Sequence, residues 1–120
     1  MAADQVRALA LPPEATLTDG ANIAWDLLEK PNAVVTLGGN RAVSNPTNTA
    51  EGYYILTVVQ DGTGSRSITS WGSAFSFTGL PASQLSSNIP VLSSTAGAID
   101  VLGFKYKGNK MLCLGMARDV

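Results

Sequence analysis

The chain has 120 residues, 45% of them hydrophobic, with nine acidic and eight basic side chains, no histidine and one cysteine. The scattered charges offer no basic stripe to follow a phosphate backbone, so nucleic acid is excluded as an expected partner. One cysteine cannot close an internal disulfide or a thiolate metal cage, and the commonest general base and metal ligand is missing altogether.

Charged residues make up 14% of the chain, against about 25% in an ordinary soluble domain. A small domain has the greatest need of solvating groups, so the deficit implies that other protein covers part of the surface. The expected state is an oligomer or a docked subunit.

Residues 1–15 read as an N-terminal arm or short helix, with Val6, Leu9 and Ala10 at helical spacing before Pro12-Pro13 ends any helix. A single helix of this length is marginal in water, so Val6, Leu9 and Leu11 are the expected partner contacts. The segment lacks the basic start and continuous apolar centre of a secretory signal. No apolar run approaches the roughly 20 residues that cross a bilayer, so no membrane partner is expected.

Residues 16–120 read as one β domain of short apolar runs punctuated by Gly, Asn, Asp and Pro. In Asn22 to Leu28, Ile23, Trp25 and Leu27 fit one face of a strand, while Ile23, Leu27 and Leu28 fit a helix; strand is preferred. Ala33 to Leu37 is expected to reverse through Gly38-Gly39-Asn40 into Arg41 to Ser44 as a hairpin.

Tyr53 to Gln60 is the clearest strand. Both of its faces are apolar, Tyr54, Leu56 and Val58 on one and Tyr53, Ile55 and Val59 on the other, so both are expected to be covered. Asp61 to Ser65 should turn the chain into Arg66 to Trp71 as a second hairpin, with Ile68 inward. Phe75 and Phe77 suggest a short strand, and Gly79 to Ser94 a surface crossover. Ala98 to Tyr106 again has two apolar faces. Lys107-Gly108-Asn109-Lys110 predicts a two-residue turn of type II′ into Met111 to Met116.

Chemistry is sparse. Gly62-x-Gly64 lacks the further glycines and the helix start of a phosphate loop and reads as a β-turn. Asp19, Asp26 and Glu29 are not spaced as a calcium loop and read as turn and rim acids. Cys113 reads as a buried small hydrophobe. Ser83, Ser86, Ser87, Ser93 and Ser94 have no histidine to activate them and read as loop residues. The two tryptophans and three tyrosines read as core, and Lys105, Lys107 and Lys110 as a solvated rim. No catalytic, cofactor-binding or metal residue is assigned, and the chain is expected not to be an enzyme.

The order of these motifs resembles a small β domain of tailed-bacteriophage virion proteins. The matching residues are Asp19 with Ile23-Ala24-Trp25-Asp26, then Val35-Thr36-Leu37-Gly38-Gly39-Asn40-Arg41 and Asn45-Pro46-Thr47. They continue with Tyr54-Ile55-Leu56, Gln60-Asp61-Gly62-Thr63-Gly64-Ser65-Arg66, Trp71-Gly72-Ser73, Leu92 to Val101, and Phe104-x-Tyr106-x-Gly108-Asn109.

The resemblance implies an all-β fold, an antiparallel β-sandwich (jelly-roll-like), that assembles as a trimer on the virion without enzymatic activity. Only about sixteen residues precede the domain, which favours a capsid decoration (cement) protein on the major capsid protein or another virion protein, made in the host bacterial cytoplasm. The alternative is a tail-fibre, head-fibre or tail-tip module that binds a host receptor or glycan. Phe75 and Phe77 stand where the family often has a second tryptophan, which puts a tryptophan-dependent ligand role in doubt.

Overall fold

Runs of β-branched and aromatic residues form the strands. The computed structural model describes residues 12–119, so Val6, Leu9 and Leu11 and the expected helix lie outside the described residues. The strands are β1 (Ala15–Thr16), β2 (Asn22–Ile23), β3 (Asn32–Leu37), β4 (Arg41–Val43), β5 (Gly52–Gln60), β6 (Ile68–Trp71), β7 (Phe75–Ser76), β8 (Leu85–Ser86), β9 (Ile89–Pro90), β10 (Ile99–Lys107) and β11 (Lys110–Ala117).

From β1 to β6 the chain alternates between two sheets. One contains β1, β3 and β5 as parallel neighbours, and the other contains β2, β4 and β6, also parallel. The first is completed by β10, β11 and β7 in the order β1-β3-β5-β10-β11-β7, where β10 lies antiparallel to both β5 and β11 and β7 is parallel to β11. The domain is therefore β-rich, as expected, but its sheets are mixed and not antiparallel throughout.

Two expected hairpins are corrected by this winding. Gly38-Gly39-Asn40 carries the chain from β3 in one sheet to β4 in the other, and the loop after β5 likewise delivers β6 to the second sheet. Side chains pin both crossings. Arg41 is clamped to Asp19 through Nε–Oδ1 (2.8 Å) and Nη2–Oδ2 (2.9 Å), while Arg66 is held to Asp61 at 3.1 Å. The two-faced apolar pattern of β5 is the signature of a strand with a parallel neighbour, which requires a crossover and not a tight turn.

The third expected hairpin forms, with a different turn. Both central residues have positive φ, Gly108 at 61° and Asn109 at 62°, which is type I′ and not type II′. A small hairpin of β8 and β9 sits within the expected crossover, turned through Ser87 (φ 51°) and Asn88 (φ 64°).

The expected strand over Asn22 to Leu28 forms only at Asn22–Ile23, with Asp26 bridging to Thr47 and residues 27–29 in a turn, although burial still alternates, Ile23, Trp25 and Leu27 being buried and Leu28 75% exposed. One hydrophobic cluster draws on both sheets, with Ile23, Val43 and Ile68 from one and Leu37, Leu56, Leu102 and Phe104 from the other. Trp25 sits at its centre, edge-on to Phe104 at 5.7 Å and to Tyr54 at 6.5 Å, and its Nε1 donates to the Lys30 carbonyl. The indole thereby buries its whole body without an unpaired N–H.

Candidate docking surface

The six-stranded sheet has one face on this core and one turned outward. Alternation along β5 sends Tyr54, Leu56 and Val58 inward and Tyr53, Ile55, Thr57 and Val59 outward. Strand register aligns the outward residues in rows: Tyr53 with Lys105 and Leu112, Ile55 with Gly103 and Gly115, Val34 with Thr57, Val101 and Ala117, and Val59 with Ile99. Of the five large hydrophobic side chains exposed among the described residues, three stand on this face: Tyr53 (60%), Ile99 (50%) and Leu114 (58%). Of the outward residues of β5 only Tyr53 is exposed, Ile55 and Val59 being half-buried and Thr57 buried, and no second layer packs on this face among the described residues.

A β-bulge shapes the middle of the face. The β10–β11 register shifts between Gly103 and Phe104, which leaves Leu114 as the extra residue. It stands beside Gly103 and Gly115, which are paired across the two strands. A Cβ added to either glycine would meet no atom within 4 Å apart from its chain neighbours. The pair is therefore a shallow hollow with Leu114 and Ile55 at its sides. One row away, the Lys105 ammonium lies 5.0 Å over the Tyr53 ring, within cation–π range. Lys105 is thus part of the face, while Lys107, paired with Glu51 at 3.4 Å, and Lys110 are at the exposed turn as expected.

The polar motif residues are used up holding turns. Asp19 also accepts the Gly38 N–H, and the Arg41 guanidinium holds its carboxyl below the usual carboxylate range. Asp26 accepts the Asn48 amide, which chiefly holds its carboxyl below the usual carboxylate range, and also the N–H groups of Glu29 and Leu28. Asp61 accepts the Thr63 and Gly64 N–H groups, and Arg66 holds its carboxyl low. A carboxylate already fills the place an anion would take, so the Gly62-x-Gly64 loop is a turn. Gly64 has φ +74° and packs so closely that a Cβ would come within 2.6 Å of the Ser94 carbonyl oxygen. Asn40 accepts from Ser67, and Asn45 accepts the Ala74 N–H.

Other residues fall as follows. Cys113 is buried, and that burial pushes its thiol up, away from reactivity. Trp25 and Tyr54 are core, and Trp71 is partly buried among Phe75, Phe77 and Phe104; Tyr53 is the aromatic residue that departs from the core reading.

A buried polar network was not anticipated. Gln60 lies 3% exposed with its Nε2 donating to the carbonyls of Arg66 and Ser93, while its Oε1 accepts the Arg66 N–H. Asp100 lies 2% exposed and accepts from the Ser93 N–H (2.6 Å), the Ser93 hydroxyl (2.7 Å) and the Asp119 N–H (3.0 Å). Ser93 is therefore a buried anchor and not a plain loop residue. The signal was an inward polar position in an otherwise apolar row: Gln60 follows Tyr54, Leu56 and Val58, and Asp100 precedes Leu102 and Phe104.

Beside β6 lies an open cleft of about 460 Å³ lined by Arg66, Ser67, Ile68, Ser86, Pro90 and Leu92, among others. Its floor is apolar and its one cation, Arg66, is already paired with Asp61. The outward sheet face is the larger anomaly, because sheets with parallel strands are normally covered on both sides. No protein-family model, curated protein or solved structure matches the chain.

Proposed function

We propose that this chain is a non-enzymatic structural subunit of a tailed-phage virion, a capsid decoration protein that binds the outer capsid surface as a trimer. The observation that carries the reading is the apolar outward face, without a second layer among the described residues, of a sheet half built from parallel strands. Such a face in water is a site for other protein, and the low charge content points the same way. The ordered motifs supply the phage context. Two sheets sharing one core support a β-sandwich description of the body, although its parallel pairs depart from jelly-roll connectivity.

The runner-up is a fibre or tail-tip module that binds receptor or glycan, and the cleft beside β6 is the feature that favours it. Against it, Asn40, Arg41 and Arg66, the loop side chains best suited to a polar ligand, are each engaged within the fold.

Purified protein added to capsid shells that lack it provides the test. The expected result is saturable binding in large symmetric copy number, visible by imaging. A few copies confined to the tail, or glycan binding abolished by Arg66→Ala, would replace this reading with the runner-up.

A further inference from the structure

The hollow at Gly103 and Gly115 has a counterpart elsewhere on the molecule. Asp26 caps the turn that follows it, taking the N–H groups of Leu28 and Glu29 on its carboxylate, and Leu28 protrudes from that turn, 75% exposed. Lys30 at the end of that turn donates to the Thr16 carbonyl on β1. The protrusion therefore stands just before β3 begins, where Asp26 bridges to Thr47 after β4, and the hollow lies between β10 and β11, beyond β5.

Charge matches as well as shape. Glu29, next to Leu28, has no ion-pair partner among the described residues, and neither has Lys105, one row from the hollow. Knob with acid ahead of β3, and hollow with base beyond β5, are complementary to each other and not each to itself.

We propose that a second copy of this chain seats Leu28 in the hollow between Ile55 and Leu114, with Glu29 against Lys105. The proposal rests on the reading of the outward face as a docking surface and names its occupant. Such a contact is head-to-tail, and a head-to-tail contact that closes makes a ring, which suits a trimer. Four strands about 4.8 Å apart and roughly 27 Å long present on the order of 500 Å². Counted on both partners, full use of the face would bury at most about 1,000 Å², the lower range of specific interfaces.

The glycines make the test clean, because a Cβ at Gly103 or Gly115 meets no atom within 4 Å apart from chain neighbours. Gly115→Val and Gly103→Val should keep the circular dichroism and melting of the parent while weakening self-association at least tenfold by analytical ultracentrifugation. Leu28→Asp should do the same. Glu29→Lys and Lys105→Glu should each weaken association, and the double variant should restore most of it. The Glu29→Cys/Lys105→Cys double variant should oxidise to a covalent ladder of copies that neither single variant gives.

A monomer at all concentrations up to about 1 mM, where even weak contacts populate, would overturn the proposal. So would association that survives Gly115→Val and Leu28→Asp but is lost on deleting residues 1–11, which would seat that segment on the face instead. Shell binding is a separate readout: a ring that ignores shells defeats the decoration reading alone, and a monomer that coats them defeats this proposal and the trimer but leaves the decoration role standing.

Discussion

The two faces of the six-stranded sheet are made from the same strands and almost equally apolar residues, yet they do opposite work. Inward, Leu56, Val58, Leu102, Phe104 and Met111 are nearly inaccessible and interlock with the second sheet around Trp25. Outward, Tyr53, Ile99 and Leu114 are half exposed or more, and two facing glycines leave the centre bare. Apolar character alone does not say which face holds the fold; the presence of a second layer does. The inward face contributes stability to one molecule, and the outward face has no second layer among the described residues.

Substitutions can break this contrast, and the largest effect belongs to the shared centre. Trp25→Ala should destabilise by about 3–5 kcal/mol, the usual loss for a fully buried large aromatic residue, read by chemical denaturation under conditions where the protein is monomeric. Gln60→Leu should follow, at on the order of 1–3 kcal/mol, because the Arg66 and Ser93 carbonyls lose their donor while staying enclosed.

Acid gives the next effect. Asp19, Asp26 and Asp61 all have folded pKa values below the ordinary 3.8. Their stabilisation is therefore complete above about pH 5 and fades as pH falls below about 4. With no histidine present, the melting temperature should be flat between about pH 5 and 8. A slope in that window would show that another group carries the linkage.

The smallest effect on the single molecule should come from the outward face. Tyr53→Ser and Leu114→Ser should change monomer stability by no more than about 0.5 kcal/mol, as exposed positions usually do. The same variants should reduce dye binding to exposed apolar surface and lower the tendency to associate. If either costs as much as Gln60→Leu, the outward face is part of the fold and the contrast fails.

Much of the inward face was legible in the sequence. Period-two spacing marked Ile23, Trp25 and Leu27, the row of Tyr54, Leu56 and Val58, and the inward Ile68, and each is buried. The Gly-Asn turn between β10 and β11 was legible because its neighbours in sequence are its neighbours in space. Pairing between distant segments was not. A Gly-Gly-Asn stretch permits reversal, but Asp19, twenty-two residues before Arg41, decides where the next strand goes. The outward face was half legible: its composition was plain, while the lack of cover depended on where every other element settled. The hollow was invisible, because a glycine in a strand gives no hint of which glycine will face it.

The place of β10 in the sheet has a consequence for how the protein is made. It lies between β5 and β11, so the central pairing of the sheet joins Gly52–Gln60 to a segment that leaves the ribosome some forty residues later, and the parallel pairs before it are also formed across long loops. Contacts so distant along the chain form slowly and together. Until the last hairpin has emerged, β5 has an unprotected edge, and a nascent chain halted before Ile99 would hold the apolar strand most prone to pair with a stranger. The domain is thus committed to folding only after the last hairpin has emerged, and quality control during translation would meet its earlier strands unpaired.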